Sequence, residues 1–113
     1  MLDDVNITVV LVKLGQLPQT TTIQNDLNAF EEIVDGPVSV ERFFVSGYRL
    51  VCSIDEGFGY EDRTLPTGTY FVARYHTNFE SMSVEECEEV KKILKERVKK
   101  RKKSKGLFSI FSK

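Results

Sequence analysis

The stretch "VNITVVLVKL", residues 5–14, decides how this chain is read. A strand with one wet face alternates apolar and polar residues, whereas this one is β-branched and almost continuously apolar. It therefore reads as a strand buried on both faces. "GQLPQ" breaks it, and "TTTIQ" reads as a short returning edge strand.

Further along, Asn25 or Asp26 can cap a helix with Leu27, Phe30, Ile33 and Val34 on one stripe, which Asp35-Gly36-Pro37 ends. "VSVERFFV" and "YRLVCSI" flank Ser46-Gly47 as a hairpin, and after the loop "DEGFGYEDRTLP" the segment "GTYFVARYH" gives a last strand. Ser83-Val84-Glu85-Glu86 has capping-box spacing and opens a second helix, striped by Val84, Cys87, Val90, Leu94 and Val98. The order is β(β)αβββα. The expected architecture is α+β, a mainly antiparallel sheet with both helices on one face, so that Leu27, Phe30, Ile33, Val90 and Leu94 pack on Leu50, Phe71 and Ala73.

A chain of 113 residues holds one core. The reading places a single domain at 1–98 and a basic-aromatic tail at 99–113. No window reaches the apolar length of a membrane span, and the N-terminus has no signal-peptide pattern. Cys52 and Cys87 lack metal-ligand spacing and read as reduced thiols of a cytosolic protein. The net charge of −1 conceals a division. Residues 91–113 carry eleven of the sixteen Lys and Arg against one acid, Glu96, a net of +10, while residues 1–90 carry five cations against sixteen acids, a net of −11. Body and tail are thus expected to meet different partners.

The stretches "DLNAFEEIVDGPVSVE", "VCSIDEG", "LPTGTYFVARY" and "FESMSVEE" resemble a family of small phage and mobile-element proteins known only as a domain of unknown function. The resemblance spans about residues 5–95, with the acids of the Ile54-Asp55-Glu56-Gly57 loop shifted from the family pattern and the Pro-Asn-Arg that commonly follows reduced to Pro66. It implies a phage accessory protein in the host cytoplasm, or at the inner face of its membrane, and implies no reaction.

The residues point the same way. One histidine, His76, has no cysteine beside it in sequence, the acids Asp55, Glu56, Glu61 and Asp62 read as a solvated loop, and Gly57 and Gly59 open no helix that could cradle phosphate. No catalytic residue, metal or cofactor is expected, and the function expected is stoichiometric binding; the family resemblance implies a host protein as the partner, as in countering a host defence. An alternative comes from strand alternation. If Leu50 and Phe71 share the covered face, then Arg49, Arg74, His76 and Tyr70 emerge on an open face, joined by Arg42, and could sequester an anionic, nucleotide-like small molecule. The plainer alternative for these cations is ion pairing with Glu41 and Glu80.

The tail adds a third reading. Lys99, Lys100, Arg101, Lys102, Lys103 and Lys105 precede Gly106, taken as a hinge, and then Leu107, Phe108, Ile110 and Phe111, which share one side of a helix. Cations with an apolar cluster suit an anionic membrane surface, and nucleic acid explains the cations without the Leu and Ile. Docking on the acidic body of another copy, giving a homo-oligomer, also fits the charges.

Overall fold

The computed structural model of the chain describes residues 5–56, 65–66 and 68–111, and for Glu56 and 98–111 it describes the backbone alone. The opening stretch forms β1 (Asn6–Val12), with Ile7, Val9 and Val10 fully buried. It pairs on one side with β2 (Gln19–Gln24) and on the other with β5 (Tyr70–Tyr75). β4 (Tyr48–Ser53) continues the sheet from β5, and β3 (Val38–Arg42) closes it. The order β2-β1-β5-β4-β3 is antiparallel throughout.

One short strand has no counterpart in the sequence reading. β6 (Phe79–Glu80) folds back on β5, with Arg74 opposite Glu80 and Tyr75 opposite Phe79. Pairing between β1 and β5 is confined to Val10, Leu11 and Val12, and β6 occupies the end of β5 beyond it. The chain leaving β6 ties β1 back in: Thr8 N–H donates to Ser81 Oγ at 2.9 Å, and Met82 N–H donates to Thr8 O at 3.0 Å.

Helix α1 (Leu27–Val34) forms as its boundaries predict. Asp26 caps it by accepting from Ala29 N–H at 2.8 Å. Asp35 takes the left-handed conformation that ends the helix, and Gly36 N–H returns to Glu31 O. Helix α2 (Val84–Phe111) carries the expected capping box in both directions: Glu86 N–H donates to Ser83 Oγ at 3.1 Å, and Ser83 N–H donates to Glu86 Oε1 at 2.9 Å.

The fold class is α+β with an open antiparallel sheet and two helices. The placement of both helices on one face is corrected by the core. Cys87, Val90 and Leu94 of α2 pack with Val10, Tyr48, Leu50, Cys52, Tyr70 and Val72. Phe30 of α1 packs with Ile7, Val9, Val51, Phe71 and Ala73. Consecutive residues of β5 and β4 alternate between these clusters, so the helices cover opposite faces. The strand register gives the physical reason. Leu50 lies opposite Val72, and Phe71 lies opposite Val51, so Leu50 and Phe71 point to different sides.

Two stripe positions also differ from expectation: Leu27 is 57% exposed and Val84 75%. Each is the first residue of its helix. A helical side chain leans over the turn before its own Cα, and at this position there is no such turn to cover.

Candidate functional site

Helix α1 leaves the sheet partly bare on its side. It is entered from the end of β2 and left into the start of β3, and the strand registers put these at opposite corners of the sheet. An eight-residue helix on that diagonal leaves uncovered the corner where β3 ends, β4 begins and β5 ends. Arg42 and Arg49 face each other there across the β3–β4 ladder, and the Arg49 guanidinium lies 4.7 Å from the centre of the Tyr75 ring.

Tyr75 is held from behind by a relay of rings. Phe79 meets it edge-on at 5.1 Å, Phe30 meets Phe79 at 5.3 Å, and Phe71 meets Phe30 at 5.1 Å. Its backbone N–H donates to Gly47 O at 2.8 Å, where φ of +97° lets glycine turn the β3–β4 hairpin toward β5. Arg49 also donates from Nη1 to Tyr48 O at 3.0 Å. A planar, delocalised cation stacked on a ring and still half-exposed can grip a carboxylate or phosphate through its remaining N–H groups.

The rest of the expected open-face cluster lies elsewhere. Arg74 points to the α2 side, where its Nε reaches Glu80 Oε1 at 3.3 Å and its Nη1 bonds Glu86 Oε2. The ion pair to Glu80 is the one the plainer reading named, and Glu86 thereby joins Arg74 to the α2 capping box. Tyr70 is 3% exposed within the α2-side core. His76 is exposed in the turn between β5 and β6, with its N–H donating to Asn78 O at 3.1 Å. The structure thus brings together Arg42 and Arg49 and separates them from Arg74 and Tyr70. Tyr75, which alternation puts on the same face as Phe71 and Ala73, belongs with Arg49. Once Arg49 lies opposite Ala73, Tyr75 is its diagonal neighbour two residues on.

On the α2 side, burial raises the Tyr48 phenol above its usual pKa, reinforced by Glu86 and Glu89. Burial likewise pushes the Cys87 thiol up, opposed by a hydrogen bond with Thr20 and by Lys91. Cys52 and Cys87 are buried thiols that form no disulfide. Asp55 and Glu56 lie in a single 3-10 turn (Ile54–Glu56), while Glu61 and Asp62 fall outside the described residues. Among the described residues, no group of His, Cys, Asp and Glu side chains could hold a metal ion.

Helix α2 runs unbroken through the expected boundary at Val98 and through Gly106, so the backbone there is helical where a hinge was expected. Among the described side chains, its last core residue is Leu94, and Arg97 stacks 4.0 Å over the Phe44 ring. The side chains of Lys99, Lys100, Arg101, Lys102, Lys103, Lys105, Leu107, Phe108, Ile110 and Phe111 lie outside the described residues. Among the described residues, no helix is long and apolar enough to cross a membrane. No protein-family model, curated protein or solved structure matches this chain.

Proposed function

We propose that this protein acts without catalysis, as a stoichiometric binding module that seats on an anionic membrane surface through the C-terminal half of α2. There it presents its acidic body to a protein partner. Within the setting that the phage-type sequence resemblance implies, the partner is a host protein, the surface is the inner face of the host membrane, and the role is to counter a host defence.

The observation that carries this reading is the length of α2. Its 28 residues span about 42 Å, whereas the seven residues of β1 span about 23 Å. A helix that far outruns its sheet has a segment the core does not need. That segment holds a cation run followed by Leu107, Phe108, Ile110 and Phe111. Lys and Arg near an anionic surface each contribute about 1 kcal/mol, and apolar residues beside them add interfacial burial.

Sedimentation with anionic vesicles tests this. Wild type should pellet, and Phe108→Ser with Phe111→Ser should lower the bound fraction at unchanged net charge. High salt should lower it as well, because at about 1 M the screening length is roughly 3 Å. If the double variant binds as well as wild type, the aromatics are not anchors, and docking on the acidic body of a second copy becomes the better account.

A further inference from the structure

The bare corner of the α1 face stands apart from the acidic body around it. Arg49 is half-buried, and its interactions with described residues are the Tyr48 carbonyl and the Tyr75 ring, with no carboxylate among them. Residues 1–90 carry sixteen acids, so a guanidinium answered by a ring and a carbonyl is a departure from its surroundings. Arg42 lies directly across the ladder from Arg49 and brings a second cation to the same corner of the sheet.

We propose that Arg42, Arg49 and Tyr75 form a binding site for a nucleoside monophosphate. The phosphate is taken by the Arg49 fork with Arg42 beside it, since planar guanidinium donors match phosphate oxygens two at a time. The base lies against the Arg49–Tyr75 layer, continuing a stack that the relay Tyr75, Phe79, Phe30 and Phe71 holds in place. Because that relay is rooted in the core, the ring is already ordered before ligand arrives, which lowers the cost of binding. The site is separate from the α2 extension and stands or falls independently of membrane attachment.

Calorimetry on the full chain tests the site, with adenosine monophosphate, ribose phosphate and inorganic phosphate as probes. The nucleotide should bind, ribose phosphate should bind more weakly, and Arg49→Gln should weaken the nucleotide by at least about tenfold. Arg49→Lys, which keeps the charge and loses the fork, should weaken it too. Arg42→Gln, on an exposed edge-strand position, gives a second variant whose folding is not at stake, and a loss of affinity there is also expected. Nucleotide binding that survives Arg49→Gln in full is held by the basic helix and overturns the site. Equal affinity for ribose phosphate overturns the stacked base, and absence of heat with every probe up to about 1 mM overturns the proposal outright.

Discussion

Arg74 and Arg49 leave the same end of the same strand pair on opposite faces of the sheet, and the two faces treat them differently. On the α2 face Arg74 meets Glu80 and Glu86, one from the adjacent strand and one from the first turn of the helix. On the α1 face Arg49 meets a tyrosine ring and a backbone carbonyl. The lesson lies in helix length and direction. α2 starts beside the sheet end where Arg74 emerges and brings a carboxylate with its capping box. α1 runs diagonally away from Arg49 and brings none.

The largest expected effect tests whether the faces are energetically separate layers. Leu94→Ala should cost about 2–5 kcal/mol and Phe30→Ala about 3–5 kcal/mol in urea unfolding, because each truncation leaves a cavity in its own cluster. Separated by the sheet, they should add to within about 0.5 kcal/mol, whereas Phe30→Leu and Phe71→Leu, in ring contact, should couple by at least that amount. Strong coupling between Leu94 and Phe30 would mean that the two layers respond as one.

A smaller effect compares the two cations. Glu86→Ala removes one arm of the capping box and one partner of Arg74 together and should cost about 1–2 kcal/mol, mostly through the cap. Arg49→Gln gives up the contact with the Tyr75 ring and should cost less, about 0.5–1 kcal/mol. Matching losses in thermal melts would make Arg49 as structural as Glu86.

The smallest effect concerns alkaline pH and belongs to the α2 face alone. Cys87 and Tyr48 are held neutral by burial, with folded-state pKa values above the ordinary 9.0 and 10.0. As pH rises past 9.0, the unfolded chain gives up the thiol proton while the folded chain keeps it. The folded state then binds more protons, so stability falls with rising pH, first through Cys87 and then through Tyr48. Cys87→Ala should flatten the first part of this decline in melts recorded across that range, and an unchanged slope would place its origin elsewhere.

Much of the molecule was legible because its signals are local. The Asp26 cap, the Asp35-Gly36 stop, the Ser83–Glu86 box and the apolar runs of β1 and β5 each depend on neighbours a few residues away. Register is not local. Leu50 opposite Val72 and Leu50 opposite Phe71 differ by one residue, and that single step sends Arg49 and Arg74 to opposite faces and moves Tyr75 into the candidate site. The clue to the right answer was nevertheless in the opening stretch. A strand buried on both faces requires cover on both, which two helices on one side cannot give. β6 left little trace, because two residues are too few to show a period.

The central place of β1 also has a consequence for the order in which the chain is made. Val10 pairs with Thr20 soon after synthesis, but its other neighbour, Val72, follows only after β2, α1, β3 and β4. At about 5–20 residues per second that delay lasts roughly 3–12 s. Throughout it the β1–β2 hairpin carries an apolar strand with an open edge and no cover on its α2 side. The nascent hairpin is therefore the segment most exposed to mispairing with another chain, and the one a ribosome-bound chaperone would have most reason to shield.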